Sequence, residues 1–228
     1  SDSSILSVSE MDPQSINVNF SNGSPLNDGD FTIVHFNINS ITAEGRLEQL
    51  TDFCAILKVD CLVITESKLC QEIPSSIISL SGFHEPIRKD RNRNGGGCLI
   101  YIKESLTFKQ LKENESDHFE HLWVDVNVKG QVYSLNAFYR PPNESNADHS
   151  LFMQEANIIL TKLSQHKSDN KVIASDLNFG QGVRHDTRQT DFYTGLSEPS
   201  WILRYGNHKQ NFKNDTRANR TATCLSKH

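Results

Sequence analysis

Short apolar runs alternate with helix-patterned segments along this 228-residue chain, and this alternation constrains the fold more than any other feature. The run FTIVHF (31–36) precedes a segment (44–58) whose apolar residues recur at helical spacing, and the run CLVIT (61–65) follows it. The apolar helical face comprises Leu47, Leu50, Phe53, Cys54 and Leu57. A buried strand after a helical crossover has this pattern. The order therefore predicts an α/β or α+β fold with a layered sheet.

The second half of the chain repeats this organisation. HLWVDVNV (121–128) and QVYSLNAF (131–138), joined by Lys129-Gly130, predict a hairpin, and the alternation in its first arm predicts one buried face. Residues 148–166 predict a second amphipathic helix capped by Asp148. Its predicted stripe contains Leu151, Phe152, Glu155, Ile158, Ile159 and Leu163. The strand KVIAS (171–175) follows.

Composition divides the chain into three segments. Residues 1–30 are rich in Ser, Asn, Asp and Gly and predict a flexible leader, whereas 31–180 predict the main domain. Residues 181–228 form a divergent, basic tail with 8 Lys and Arg against 4 Asp and Glu, although the net charge of the chain is -5. This overall acidity argues against non-specific nucleic-acid binding, so any contact with DNA is expected to be local.

No apolar run approaches the roughly 18 residues that span a bilayer, and the N-terminus has no secretory pattern, so we expect an intracellular protein without a membrane partner. Cys54, Cys61 and Cys98 lie in or beside apolar segments and are interpreted as core residues rather than ligands. His35 is interpreted as a packed polar residue, His121 as a loop or surface residue, and Trp123 as a sheet residue.

Polar side chains follow three of the predicted strands. Asn37 and Asn39 come after FTIVHF, Glu66 after CLVIT, and Asp176 and Asn178 after KVIAS. Carboxylate and amide oxygens at converging strand ends are the ligands that Mg²⁺ prefers. For any one of these residues alone, a turn-capping role explains its position better than a functional one. Read together, they predict a metal-assisted site.

The order of these motifs resembles that of the endonuclease/exonuclease/phosphatase superfamily, whose fold is DNase-I-like. The matching motifs are HFNINS around Asn37, LVITESKL around Glu66, Tyr139 in FYRPPN, and SDLN at 175–178. GGGCLIYIKESL, EHLWVDV and SLNAFYRPPN at matching spacing make the chain most similar to the apurinic/apyrimidinic-type endonuclease domain of non-LTR retrotransposons. The resemblance covers 31–180 and implies a four-layered α/β sandwich.

The resemblance also implies roles for particular residues. Glu66 would bind the catalytic Mg²⁺, or Mn²⁺, with assistance from Asn37. Asp176 and Asn178 would orient the attacking water and the scissile phosphate. Catalytic Tyr139 and substrate-binding Asn143 would contact the phosphate region, although FYRPPN alone is also typical of a rigid turn. The implied partners are DNA and the reverse transcriptase domain of the same element. The implied location is the nucleus.

A basic segment precedes the triple glycine at 95–97. Arg91 and Arg93, together with Arg88 and Lys89, could contact a DNA backbone, although such runs are more often solvated loops. The glycines lack the spacing of a nucleotide-binding motif, and we interpret them as permitting a sharp turn.

The chain departs from the superfamily pattern after SDLNFG. The superfamily continues to another Asp and to a Ser-Asp-His, whereas Ser226 stands at the expected Asp and His228 is interpreted as a terminal residue. We therefore expect a fold incomplete at its C-terminus and a weakened or lost activity. Three functions stay open: a DNA-nicking endonuclease, an inactive remnant that binds nucleic acid or protein, and a phosphomonoesterase, which the YRPPN and GGG segments disfavour.

Overall fold

The computed structural model describes residues 6–8, 18–20, 31–116, 118–141, 145–177, 201–203 and 222–223. The helices in these ranges are α1 (Arg46–Ile56), α2 (Asn146–Gln165) and two 3₁₀ helices at Ser75–Ile78 and Lys112–Asn114. The strands are β1 (Leu6–Val8), β2 (Val18–Phe20), β3 (Ile33–Asn37), β4 (Cys61–Thr65), β5 (Ile87–Lys89), β6 (Cys98–Ile102), β7 (Thr107–Gln110), β8 (Glu120–Val128), β9 (Gln131–Tyr139), β10 (Asn170–Asp176), β11 (Trp201–Leu203) and β12 (Ala222–Thr223).

The first sheet has the strand order β2-β1-β12-β3-β4-β6-β5 among the described residues. Strands β3 and β4 are parallel, with Ile33 opposite Cys61 and Asn37 opposite Thr65. Strand β6 is antiparallel to β4. The β3-α1-β4 unit is the strand-helix-strand order that the sequence predicts, and this prediction is confirmed.

Helix α1 covers one face of the first sheet. It begins after Gly45, whose φ is 70°, and it ends before Lys58, whose φ is 50°. The Phe53 ring meets the Phe36 ring edge-on, with the centroids 4.7 Å apart. The predicted helical face is confirmed, because Leu47 is partly buried and Leu50, Phe53, Cys54 and Leu57 are buried.

The second sheet has the order β11-β10-β9-β8-β7 in the described part of the chain. Strands β8 and β9 pair over their full length, from Glu120 opposite Tyr139 to Val128 opposite Gln131. Lys129 and Gly130 connect them with φ values of 53° and 85°. Two successive positive φ values are typical of a type I′ turn. The predicted hairpin is therefore confirmed.

The first half of β8 is buried on both faces, so the prediction of a single buried face was wrong there, whereas Asn127 near its end is exposed as predicted. Leu122, Val124 and Val126 belong to the core between the sheets, whereas Trp123 belongs to a second core beneath α2. From α2 this second core receives Phe152, Ala156, Ile159, Leu160 and Leu163. The polar-apolar alternation did not reveal α2 as a cover, since α2 lies later in the chain. With α1 and α2 outside two packed sheets, the fold has four layers.

His121 also lies under α2, and the prediction of a loop or surface position for it was wrong. Its side chain is 0% exposed, and Nε2 lies 3.1 Å from Asn136 Oδ1. Trp123 is a sheet residue as predicted, and its Nε1 donates to Ser134 Oγ at 2.7 Å. His35 is fully buried, which confirms its predicted packed position.

Helix α2 is capped by Ser145 rather than by the predicted Asp148. Ser145 Oγ accepts a hydrogen bond from Asp148 N at 3.2 Å and donates to Asp148 Oδ2 at 2.6 Å. Asp148 is therefore the third helical residue, and both its backbone N–H and its carboxylate bond to the Ser145 hydroxyl. On the predicted stripe, Leu151 and Ile158 are 40% and 57% exposed, so the buried face is narrower than predicted.

Cys54, Cys61 and Cys98 are buried and free, which confirms their interpretation as core residues. None of the described helices is long and apolar enough to span a bilayer. Strands β1 and β2 fall in segment 1–30, and β11 and β12 in segment 181–228, but most of both segments lies outside the described residues. The proposed boundaries near residues 30 and 180 stay predictions.

Candidate active site

Each sheet contributes two of the predicted residues to one edge of the sandwich. In the first sheet, Asn37 ends β3 and Glu66 follows β4, and these strands are parallel. In the second sheet, Tyr139 ends β9 and Asp176 ends β10, and these strands are parallel with the two residues in register. The carboxyl ends of parallel neighbours lie at the same edge of a sheet. The strand ends therefore determine where these four side chains lie.

Two hydrogen bonds join the four side chains across the sheets. Asn37 Nδ2 donates to Asp176 Oδ2 at 2.7 Å. Tyr139 OH donates to Glu66 Oε1 at 3.3 Å. Asp176 is 1% exposed, whereas Glu66 is partly exposed. The structure thus brings together four of the predicted site residues, of which Glu66 and Asn37 are partly exposed.

Four other residues from the sequence analysis have no described position. Asn178 and Asn143, predicted to contact the water or the phosphate, lie outside the described residues, as do Ser226 and His228. Their predicted roles stay predictions.

Two loops with unusual backbone conformations form the rim of the site. Glu66 and Lys68 have φ values of 54° and 55°, and Asn39 and Ser40 have 48° and 87°. The left-handed backbone conformation of a non-glycine residue costs roughly 1–3 kcal/mol of free energy, and it persists only where the surrounding structure stabilises it. Here Ser40 N donates to Glu66 O at 2.9 Å, and Lys68 Nζ donates to Asn39 Oδ1. Such conformations cluster at functional sites, and these two loops flank Glu66.

Tyr139 lies in the field of both carboxylates. Burial raises the pKa of its hydroxyl well above the ordinary value, and the nearby charges of Glu66 and Asp176 raise it further. The phenol is therefore protonated at neutral pH and acts as a hydrogen-bond donor. Because both carboxylates act on one hydroxyl, they belong to a single electrostatic environment.

The donor atoms at this edge fit Mg²⁺ or Mn²⁺. Glu66 and Asp176 supply carboxylates, and Asn37 Oδ1, which accepts from Asn39 N at 3.2 Å, keeps a second lone pair. Mg²⁺ is usually held by one or two carboxylates plus water and substrate phosphate. The described residues contain no group of three or more His, Cys, Asp or Glu side chains suited to a metal.

Of the basic residues, Arg91 reaches the site. Its Cζ lies 5.7 Å from the centroid of the Tyr139 ring, and its Nε lies 3.3 Å from Glu120 Oε1. Arg93 is exposed and donates through Nε to Cys70 Sγ at 3.2 Å. The two predicted DNA-contacting arginines thus differ, because only Arg91 is placed against a predicted catalytic side chain.

The other two basic residues of the segment hold the fold together. Arg88 forms an ion pair with Asp90 at 2.6 Å and donates to the Ile73 and Cys70 carbonyls. Lys89 Nζ donates to Ser116 O at 2.8 Å. The charged groups of Arg88 and Lys89 are therefore both engaged in contacts within the protein.

Glu120 is a site residue that the sequence analysis did not single out. It is the first residue of β8, it pairs with Tyr139, and it is 5% exposed. The signal that could have found it is a charged residue directly before the predicted strand HLWVDVNV (121–128). The predicted two-residue connection at Lys129-Gly130 fixes the pairing of Glu120 with Tyr139, whereas its contact with Arg91 depends on where the preceding loop lies, which the sequence does not give.

The chain has two packed sheets with helices outside them, and Asn, Glu, Tyr and Asp side chains meet where parallel strands end. This is the DNase-I-like fold of endonucleases, exonucleases and phosphatases. Solved structures with this fold are similar to the chain over most of its length. The predicted fold class is thereby confirmed.

The endonuclease domain of TRAS1, a telomere-specific non-LTR retrotransposon, has a TM-score of 0.53 and 12% identity, over 72% of this chain and 70% of that domain. TDP2 of D. rerio, complexed with single strand DNA product, has a TM-score of 0.52 and 14% identity, over 84% of this chain and 82% of that one. The AP endonuclease LMAP from Leishmania major has a TM-score of 0.54 and 14% identity, over 72% of this chain and 65% of that one. No protein-family model matches the chain, and no curated protein sequence matches it. At these identities the similarity establishes the fold.

Proposed function

We propose that the protein hydrolyses phosphodiester bonds in DNA with the help of a divalent cation, as a nicking endonuclease. The observation that carries this proposal is the meeting of Asn37, Glu66, Tyr139 and Asp176 through two hydrogen bonds at 2.7 and 3.3 Å across the sheets. The partly exposed Glu66 carboxylate supplies a metal ligand, and the buried Asp176 carboxylate, fixed by the Asn37 amide, supplies a base. The protonated Tyr139 phenol supplies a hydrogen-bond donor.

Each side chain has a role that follows from its contacts. Glu66, assisted by Asn37, would hold Mg²⁺ or Mn²⁺, which when bound neutralises charge on the phosphoryl oxygens. Asp176, held by Asn37 Nδ2 at 2.7 Å, would align the attacking water and accept its proton. Tyr139 fixes the Glu66 carboxylate through its hydroxyl. Asn143 and Asn178 would hold the phosphate.

DNA is the substrate that the available observations favour. GGGCLIYIKESL and FYRPPN resemble retrotransposon endonuclease motifs, and the TRAS1 domain shares the fold. Arg91 beside Tyr139 adds a positive charge suited to a phosphate backbone. The proposal extends to a nuclear location and to a reverse transcriptase domain as the partner.

Nicking of supercoiled plasmid by the purified chain tests the proposal. We expect relaxed circles with Mg²⁺ or Mn²⁺ and none with EDTA. Glu66→Gln should lower the nicking rate by at least about 100-fold, because it removes the carboxylate charge at the metal site. Glu104→Gln is the matched control, since Glu104 is exposed and follows β6 at the end of that strand opposite to Cys98.

The same preparation separates the alternative functions. Folded protein that binds the plasmid without nicking it would support the inactive binding remnant. Release of inorganic phosphate from a phosphomonoester, with the plasmid intact, would support the phosphatase. Nicking that Glu66→Gln leaves unchanged would refute the assigned site.

A further inference from the structure

Glu120, Tyr139 and Asp176 form one row across three neighbouring strands. Glu120 pairs with Tyr139 between β8 and β9, and Tyr139 pairs with Asp176 between β9 and β10. Directly paired residues present their side chains on the same face of a sheet. The Glu120 carboxylate therefore lies on the face that carries the candidate site.

Glu120 and Tyr139 hold Arg91 from two sides. Glu120 Oε1 lies 3.3 Å from Arg91 Nε, and the Arg91 Cζ lies 5.7 Å from the Tyr139 ring centroid. The Glu120 side chain is 6% exposed and that of Arg91 is 35% exposed. Within the described residues, the hydrogen bonds of Arg91 involve Nε alone, which leaves Nη1 and Nη2 for a ligand. The buried carboxylate thus fixes the partly exposed guanidinium.

The triple glycine makes room for this pair. Gly96 and Gly97 have φ values of 72° and 86°, and a Cβ on Gly96 would overlap Glu120 Oε1 and the Arg91 guanidinium. Gly97 N donates to Glu120 Oε1 at 3.4 Å, and Gly95 O accepts from Arg91 Nε at 3.3 Å. The glycines therefore do more than permit a turn, because their missing side chains leave the space that the ion pair fills.

The glycine segment also contacts the loop after Glu66. Ser67 N donates to Gly97 O at 3.2 Å, and Lys68 N donates to Gly96 O at 3.0 Å. The Arg91–Glu120 pair and the predicted metal ligand are therefore held by the same short segment, which fixes their separation.

We propose that Glu120 is a positioning residue, which holds Arg91 over Tyr139 so that its terminal nitrogens bind a DNA phosphate at the site. This inference rests on the proposed function. Two parallel donors of a guanidinium match two phosphate oxygens, and a guanidinium fixed in advance loses less freedom on binding. Glu66, Asp176 and Glu120 all place negative charge near Tyr139 or Arg91, so the fixed cation also offsets their repulsion of DNA.

Binding of a short labelled DNA duplex in EDTA tests Glu120 without requiring cleavage. Charge alone predicts that Glu120→Ala tightens binding, because it removes a negative charge near DNA. Positioning predicts the reverse, a Kd raised roughly tenfold, the size expected for a lost phosphate contact. Glu120→Gln keeps a polar oxygen of the same reach beside Arg91 Nε and an acceptor for Gly97 N, and it should restore most of the affinity.

A double-mutant cycle shows whether Glu120 acts through Arg91. Arg91→Ala should raise Kd about tenfold and lower the slope of log Kd against log salt by about one. Adding Glu120→Ala to Arg91→Ala should not raise Kd further, because the group that Glu120 positions is absent and only the favourable loss of a negative charge remains. Arg93→Ala removes the same charge from the same segment, and its effect should add to that of Glu120→Ala.

Arg91→Ala leaves the buried Glu120 carboxylate without its cation and destabilises the fold, so thermal melting accompanies every measurement, and the cycle is repeated with Arg91→Gln in place of Arg91→Ala. Additive effects, tighter binding by Glu120→Ala, or no wild-type binding at any salt would overturn the assignment. Non-additive binding without nicking would keep the assignment and refute the catalytic proposal. Nicking together with an additive cycle would refute the assignment of Glu120 and keep the catalytic proposal.

Discussion

His35 and His121 make the stability of the fold depend on acid pH. Both side chains are 0% exposed. Burial lowers the pKa of His35 from 6.5 to about 4. Burial also lowers the pKa of His121 from 6.5 to about 3, although its hydrogen bond with Asn136 partly opposes the shift. Below pH 6.5 the unfolded chain binds protons that the folded chain excludes, so the free energy of unfolding falls as pH falls.

The magnitude follows from the width of this window. Between pH 7.5 and pH 4.5 each unfolded imidazole becomes protonated over about two pH units while the folded one stays largely neutral, which corresponds to about 2–3 kcal/mol per histidine. The two together remove about 5 kcal/mol, a large part of the 5–15 kcal/mol that is typical of a folded domain. The loss is complete only below the folded pKa values of about 4 and about 3.

Urea unfolding at pH 7.5 and pH 4.5, followed by the fluorescence of the buried Trp123, measures this loss. His121→Gln cannot titrate, so the difference in unfolding free energy between the two pH values should shrink by roughly 3 kcal/mol relative to wild type. His118→Gln is the control for removing an imidazole, since that side chain is 57% exposed. An unchanged pH difference in His121→Gln would refute the reasoning.

Three further predictions concern single contacts. Gly97→Ala should lower stability by about 2 kcal/mol and reduce nicking, because its φ is 86° and its Cβ would overlap Ser67 Oγ; urea unfolding and plasmid assays check this. Tyr139→Phe should keep the melting temperature and slow nicking about 100-fold, since the donor to Glu66 is lost; a lower melting temperature would point to a structural role instead. Ser145→Ala should cost about 1 kcal/mol in urea unfolding without changing nicking, because it removes the cap of α2.

The apolar runs were sufficient to predict the order of the elements. Strands around 31–36, 61–65 and 171–175 and the hairpin at Lys129-Gly130 all occur in the structure. The sequence did not predict which faces are covered. His121 has polar and apolar neighbours that suit a surface, but α2 packs over its strand from a position later in the chain.

The candidate site was predictable where residue type and strand end coincide. Asn37, Glu66, Tyr139 and Asp176 could be selected from local sequence and from the superfamily resemblance, and the structure brings them together. Glu120 could not be selected in this way, since its role depends on a contact with Arg91 in a distant loop, although the predicted hairpin already pairs it with Tyr139. A contact between residues that are distant in the sequence cannot be read from either residue's local sequence.

The two halves of the site are far apart in the sequence, because the first sheet supplies Asn37 and Glu66, whereas the second supplies Tyr139 and Asp176. A ribosome completes the β3-α1-β4 unit before it has made either member of the second pair. The proposed nuclease therefore stays incomplete until Asp176 has been made, since no nascent chain that ends before β10 contains all four side chains. Catalytic competence would arise in a single step, when β10 adds to β9 and the two sheets pack on each other.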